Sequence, residues 1–131
     1  ASGGELSRIM LAIKTVLAGR DEIDTLIFDE IDTGISGRTA WKVAEQLSVL
    51  SGAHQVICIT HLPQIAAMAD VHFVIEKSST DDMTITDIHK VSAEENLAEL
   101  ARLLGSDALT EAALSNAKEM KEQAGMFKET R

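Results

Sequence analysis

Two adjacent carboxylates, Asp29 and Glu30, directly follow the apolar run TLIF at Thr25–Phe28. Short apolar runs without alternation are typical of strands that are buried on both faces of a parallel sheet. Charged groups at the end of such a strand are costly unless something compensates them. Carboxylate oxygens suit Mg²⁺, and a second carboxylate beside the ion can orient or deprotonate an attacking water. The pair indicates a nucleotide site; a solvated strand end before a turn is the plain alternative.

A histidine closes a second apolar run. The segment QVICIT, residues 55–60, predicts another buried strand, and His61 follows it. Because parallel strands end at the same edge of a sheet, we expect His61 near the two carboxylates. A neutral imidazole there can donate to a γ-phosphate oxygen, whereas the plain alternative is a capping or core histidine. His54, His72 and His89 lack the spacing of metal ligands, so we expect structural roles for them and propose no zinc site.

Two glycine-containing segments accompany these residues. Ser2, Gly3 and Gly4 precede a helical apolar pattern, which places them at a helix N-terminus. Free N–H groups and a partial positive charge at such an end favour phosphate, and glycines allow its close approach. A serine cap with Glu5 in a capping box explains the same residues, and both interpretations can hold together. The segment TGISG, residues 33–37, is either a turn or a contact loop beside the site.

Helices and strands alternate along the rest of the predicted chain. Apolar spacing predicts the helices, and short β-rich runs predict the strands. The final strand pair is predicted to form a hairpin. The tail FKETR is expected to fray. The predicted elements are helix 5–18, strand 25–28, helix 40–50, strand 55–60, helix 62–70, strand 71–77, strand 83–91, helix 92–105 and a last helix from about Leu109. The alternating part predicts an α/β fold with a parallel sheet and right-handed crossovers.

Size and composition limit the classes of function. The chain has 131 residues, which fits a single domain over 1–131. Its formal net charge of −9 argues against this piece alone gripping a nucleic-acid backbone. Cys58 has no second cysteine to pair with, which favours a reducing compartment. No apolar run approaches the roughly 18 residues of a membrane span.

The motifs resemble, in order and spacing, the second half of an ABC-type ATPase head. SGGELSRIMLAIK, TLIFDEID, TGISG and ITHLPQIAAMAD are similar to its signature motif, Walker B strand, D-loop and switch-histidine loop. The segments ASGGELSR, FDEIDTGISG and THLPQIAA resemble sequences of the RecN family of bacterial DNA repair proteins, which are related to the SMC and Rad50 ATPases. The resemblance covers roughly the whole chain. It implies the C-terminal lobe of a P-loop NTPase-like head, with a mostly parallel sheet flanked by helices, a C-terminal hairpin and two helices.

The resemblance also implies residue roles at the dimer interface. Ser2, Gly3 and Gly4 would contact the γ-phosphate of ATP held by the opposite subunit. Residues 32–37 would form the D-loop across the interface. Many relatives place an aspartate six positions after the catalytic glutamate, whereas this chain has Ser36, which can still form a hydrogen bond.

Within its own subunit, the chain would supply the hydrolytic groups by the same resemblance. Asp29 would help hold Mg²⁺, Glu30 would be the catalytic carboxylate that polarises water, and His61 would be the switch histidine at the γ-phosphate. The implied cofactors are ATP and Mg²⁺, and the implied activity is ATP hydrolysis coupled to the repair of DNA double-strand breaks.

Two features that the resemblance leads us to seek are absent from the sequence. It contains neither the phosphate-loop pattern GxxxxGK[ST] nor a long heptad run. We therefore expect this chain to be a piece of a longer protein and to be inactive by itself. Its expected partners are the N-terminal Walker A lobe of the same protein and a second copy of the head. Through the whole protein, DNA is a further expected partner. A cytoplasmic, nucleoid-associated location in bacteria and no membrane partner are implied. Without the missing lobe, the piece should expose an apolar sheet edge and face.

Three alternatives remain open at this stage. The chain can be the head of another SMC- or Rad50-like protein, a transporter ATPase subunit, or a non-catalytic docking or dimerisation module. The intact Glu30 and His61 favour catalysis over docking, because a docking module has little physical reason to keep a carboxylate pair beside an apolar strand end.

Overall fold

Helices and short strands alternate along the computed structural model, which describes residues 2–105 and 108–131. The elements are α1 (Gly3–Val16), β1 (Thr25–Phe28), α2 (Gly37–Leu50), β2 (Gln55–Cys58), α3 (Pro63–Met68), β3 (Phe73–Thr80), β4 (Met83–Lys90), α4 (Ala93–Leu103) and α5 (Glu111–Thr130). The predicted order of elements and the α/β class are confirmed. Across these described ranges, no helix is both long and apolar enough to cross a membrane.

The strands form two small sheets instead of the single, mostly parallel sheet that we predicted. β1 and β2 pair in parallel, from Thr25 opposite Gln55 to Phe28 opposite Cys58. β3 and β4 form an antiparallel hairpin, and within the described residues β3 pairs with β4 and not with β2. A hairpin forms locally across a tight turn, whereas a parallel partner requires a crossover connection. The parallel part of the prediction is therefore confirmed for β1 and β2 alone.

The two parallel strands are buried on one face only, so the prediction of burial on both faces was wrong. Phe28 is 4% exposed and lies in the core, whereas Ile27 is 68% and Ile57 is 44% exposed. Ile27 and Ile57 are opposite each other in the register, so they form one apolar surface. The expected exposure of an apolar sheet face is present in the chain.

The core lies between the helices and the buried face of β1 and β2. Ile31, Leu50 and Leu100 are the largest side chains with no solvent access among the described residues. In α1, by contrast, Leu11 is buried, while the apolar stripe that predicts the helix is exposed. That stripe comprises Leu6, Ile9, Met10, Ile13 and Val16.

The C-terminal helix is longer and better anchored than predicted. Leu109 lies before α5, and the helix begins after the cap residue Thr110, whose side chain accepts a hydrogen bond from Ala113 N. The tail is not frayed, because Lys128 Nζ lies 2.7 Å from an Asp70 oxygen and Arg131 Nη1 donates to the Ser48 carbonyl at 2.7 Å. Two charged side chains near the end of the chain thus hold α5 against earlier segments.

Candidate functional site

The carboxyl ends of β1 and β2 lie side by side, as predicted. Phe28 is opposite Cys58, and Ile59 N donates to the Phe28 carbonyl at 3.1 Å. Asp29 and Glu30 therefore leave the sheet at the same edge as His61. This is the edge at which open α/β sheets bind ligands.

Glu30 has an unusual backbone conformation. Its φ is 58°, and among residues 2–105 and 108–131 it alone combines a side chain with a positive φ. A left-handed conformation costs an ordinary residue about 1–2 kcal/mol. Its N–H donates to the Asp29 Oδ1 at 2.9 Å, which ties the two carboxylate residues together. The turn directs the Glu30 side chain back toward α1.

The N-terminus of α1 lies directly against this turn. A Cβ on Gly3 would collide with the Glu30 carboxylate, and one on Gly4 would lie 2.9 Å from the Glu30 carbonyl and 2.8 Å from Thr33 Cβ. At Gly4, where the close neighbour is backbone, only glycine permits this approach of the helix to the loop. Ser2 accepts a hydrogen bond from Glu5 N at 3.2 Å, so the predicted capping role of the serine is confirmed. The structure thus brings Gly3, Gly4 and Glu30 together within one chain.

Two residues of α1 that the sequence analysis passed over hold the loop in place. Ser7 Oγ donates to the Asp29 carbonyl at 2.8 Å. Arg8 Nη1 donates to the carbonyls of Ile31, at 3.1 Å, and Thr33, at 2.7 Å. The helical spacing of Gly4, Ser7, Arg8 and Leu11 marks a single face of α1, and this is the signal that predicts their shared role.

Asp32 links the two strand ends. Its side chain is buried, and Oδ2 accepts hydrogen bonds from Thr60 Oγ1 at 2.7 Å and from His61 N at 3.0 Å. The same oxygen lies 3.0 Å from His61 Nδ1. Sequence reasoning placed Asp32 in the D-loop alone, because its contact with residues nearly thirty positions away leaves no local pattern.

The Cys58 thiol, at the end of β2, lies near two carboxylates of this edge. Burial, reinforced by the negative charges of Asp32 and Asp29, raises the pKa of Cys58 to about 12. The thiol therefore stays protonated at neutral pH.

The loop after Asp32 leads into α2. Gly34 and Gly37 have positive φ values of 78° and 54°. Ser36 is the N-cap residue of α2, but its side chain makes no capping hydrogen bond. Ser36 is exposed, so its hydroxyl is available at the surface.

Two of the remaining histidines are held by structural contacts. His54 is buried, and its Nδ1 lies against the Ile23 carbonyl. His72 Nδ1 lies 2.7 Å from Asn96 Nδ2, and burial lowers the pKa of His72. These contacts are consistent with the structural roles that we expected.

His89 has a more polar setting on the hairpin. Its Nδ1 lies 3.1 Å from an Asp87 oxygen. One ligand atom each of His89, Asp87 and Glu76 lie within 4.8 Å of one another, and both carboxylates are exposed.

Comparison with known proteins shows which proteins this chain resembles. No protein-family model matches it. It is 46% identical over 130 residues to DNA repair protein RecN of Bacillus subtilis, a match that covers 99% of this chain and 23% of that protein. It is 52% identical over 120 residues to RecN of Treponema pallidum, covering 92% of this chain and 21% of that protein. Over nearly its whole length, the chain is similar to one segment of RecN proteins.

A further RecN relative shows the same extent of similarity. The protein from Haemophilus influenzae is 51% identical over 120 residues, which is 92% of this chain and 22% of the relative. The chain thus spans less than a quarter of the length of the RecN proteins that it matches. The expected resemblance to RecN proteins is confirmed over the segment present.

Proposed function

We propose that this chain forms part of an ATP-hydrolysing head in a RecN-type DNA repair protein that acts on double-strand breaks. In this proposal it is the C-terminal lobe, and a Walker A lobe and a second head complete its sites. The observation that carries the proposal is the convergence of Asp29, Glu30 and His61 at one edge of the parallel strands, beside the N-terminus of α1.

The residues at this edge fit Mg²⁺ and a nucleotide phosphate. Asp29 is exposed and offers hard carboxylate oxygens, which Mg²⁺ prefers. Ser2, Gly3 and Gly4 lie at a helix end that favours anions. Bound Mg²⁺ would neutralise charge that develops on the phosphates. Glu30 would then orient the attacking water and accept its proton, and His61 would contact the reacting phosphate region.

The position of Glu30 adds a condition to this proposal. Its carboxylate lies over Gly3, where a phosphate held by a second head would arrive. Two negative groups cannot share that place without a cation between them. Because Glu30 is exposed, its side chain is free to rotate toward its own subunit's nucleotide when the heads engage. Engagement of two heads would thus move Glu30 to its working position.

The experiment measures ATP hydrolysis by this chain alone and by its mixture with a separately produced lobe that carries the phosphate loop. We expect no activity from the chain alone and activity from the mixture. Glu30→Gln should abolish that activity, since the amide cannot accept the proton of the water. Asp24→Asn, an exposed acidic residue before β1, is the matched control and should leave the rate unchanged.

The exposed apolar surfaces favour one other function. Ile27 and Ile57 form an uncovered patch of the kind that marks docking sites. If the two lobes demonstrably associate and the mixture remains inactive, the carboxylates are not catalytic, and the chain is a docking or dimerisation module.

A further inference from the structure

Arg8 makes two of the hydrogen bonds that join α1 to the turn after β1. A single nitrogen, Nη1, donates to the Ile31 carbonyl at 3.1 Å and to the Thr33 carbonyl at 2.7 Å. Within residues 2–105 and 108–131, neither carbonyl accepts a hydrogen bond from another group. Ile31 is 0% exposed, so water cannot readily take the place of Arg8 there.

The carbonyls held by Arg8 follow Glu30, whose backbone is left-handed with φ of 58°. A residue with a side chain keeps such a conformation only where its surroundings impose it. Ser7 Oγ holds the preceding carbonyl, that of Asp29, at 2.8 Å. The turn is therefore attached to α1 on both sides of Glu30, before it through Ser7 and after it through Arg8.

Close packing of α1 against the turn restricts the Glu30 backbone further. A Cβ on Gly4 would lie 2.9 Å from the Glu30 carbonyl and 3.1 Å from Arg8 Nη1. The Glu30 side chain, by contrast, is exposed and can rotate. We propose that Arg8 is a positioning residue: it keeps this turn left-handed and so fixes the direction in which the Glu30 carboxylate leaves the backbone.

The consequence for catalysis rests on the proposed function. Without Arg8, the turn would relax and the Glu30 carboxylate would leave the backbone in another direction. A misplacement of about 1 Å can lower a reaction rate roughly 100-fold. Arg8 acts on backbone carbonyls and not on the nucleotide, so its loss should change kcat and not KM. The effect on the turn itself depends only on the contacts between α1 and the loop.

The first experiment is ¹⁵N NMR of the arginine side chains in the unaltered chain at low temperature. Rotation about the Nε–Cζ bond exchanges the two terminal nitrogens of a guanidinium, and donation to two carbonyls should slow this rotation. We expect separate Nη1 and Nη2 signals for Arg8, identified by their loss in Arg8→Lys. Arg20, whose exposed side chain makes no hydrogen bond to the described residues, should give one averaged signal. An averaged signal for Arg8 would overturn the proposal, whether or not Arg8→Met folds.

Urea titration of double variants tests whether Arg8 maintains the strain at Glu30. Glu30→Gly should raise the unfolding midpoint of the unaltered chain, because glycine tolerates a positive φ. It should give no increase in Arg8→Met, where the turn has relaxed. It should still give one in Arg8→Lys, since an ammonium has three N–H donors and can serve both carbonyls as Nη1 does. The same increase in folded Arg8→Met as in the matched control Arg20→Met would contradict the proposal.

ATP hydrolysis by the chain mixed with the phosphate-loop lobe gives the catalytic readout. Arg8→Met should lower kcat roughly 10- to 100-fold with little change in KM, as expected when a group that acts in the transition state is displaced. Arg8→Lys should recover most of the loss, and Arg20→Met should keep the full rate. Equal losses in the two Arg8 variants, or a change confined to KM, would overturn the role in catalysis. If the mixture is inactive while the urea results hold, the proposed function fails and the role of Arg8 in the turn stands.

Discussion

At the scale of single residues, the site depends on conformations and contacts that ordinary side chains avoid. Glu30 adopts a left-handed backbone with φ of 58°. Gly4 is buried so close to the Glu30 carbonyl that no side chain fits. Ser7 and Arg8 hold the carbonyls of the loop from the α1 side, so the strained turn is fixed by its neighbours. Strain that is maintained in this way is common at functional sites.

Replacing Glu30 with glycine should stabilise the fold while removing the carboxylate. Glycine adopts a positive φ without penalty, although its greater freedom in the unfolded chain offsets part of the gain. We expect the free energy of unfolding to rise by about 1 kcal/mol. Urea denaturation monitored by circular dichroism measures it. Glu30→Gln keeps the strained backbone and should leave the unfolding free energy nearly unchanged; equal values for both variants would contradict this explanation.

At the scale of elements, α5 is held to the body by charges near its C-terminal end. Lys121 Nζ donates to the carbonyls of Ala67 and Ala69, each at 3.1 Å, at the end of α3. Lys128 pairs with Asp70 just beyond. Cations in the last turns also interact favourably with the negative end of the helix. These contacts explain why the last residues, which read as a polar tail, continue the helix.

The pairing of Asp70 with Lys128 should make part of the free energy of unfolding depend on pH in the acidic range. The hydrogen bond from Lys128 lowers the pKa of Asp70 below its usual value, despite partial burial that opposes the shift. A carboxylate with a lowered folded pKa contributes stability above its unfolded pKa, near 3.9, and that contribution disappears as the pH falls through the folded value.

We therefore expect the unaltered chain to lose more stability than Lys128→Met between about pH 5 and pH 3. Thermal melts across this range measure the difference. Lys118→Met, on the same helix, is the control and should follow the unaltered chain. If the melting temperatures of the unaltered chain and of Lys128→Met fell equally with pH, the pair would contribute nothing to stability.

At the scale of the whole molecule, much of the apolar surface lies outside the core. The exposed face of β1 and β2 carries Ile27 and Ile57, and Ile59, just beyond β2, is also exposed. Along α1, Ile9 and Ile13 belong to the exposed stripe. Contiguous apolar surface of this kind favours association with another surface. The edges of a two-stranded sheet add unpaired backbone groups that can recruit further strands.

The chain studied by itself should therefore self-associate. Light scattering at rising concentration should show species larger than one chain. Replacing both Ile27 and Ile57 with threonine should reduce the association, since threonine keeps the β-branched shape but is polar. Met126→Thr removes an exposed apolar side chain of α5, outside the parallel strands, and should have no effect. A monodisperse, thermally stable monomer of the unaltered chain would contradict the prediction.

The sequence by itself determined the elements, their order and the edge at which the candidate residues meet. Apolar periodicity and strand ends are local signals, and parallel pairing then places Asp29, Glu30 and His61 together. The contact of Ser2 with its own helix end was also predicted, because capping depends on residues three positions apart.

Only the tertiary structure decided what these residues contact. Asp32 reaches Thr60, and Arg8 reaches Thr33, across separations for which the sequence has no periodic signal. Which face of β1 is buried, and whether β3 joins β2 or β4, depends on which surfaces are available to cover each strand. Such choices are made by competing packing arrangements of similar free energy, and local residue patterns do not distinguish between them.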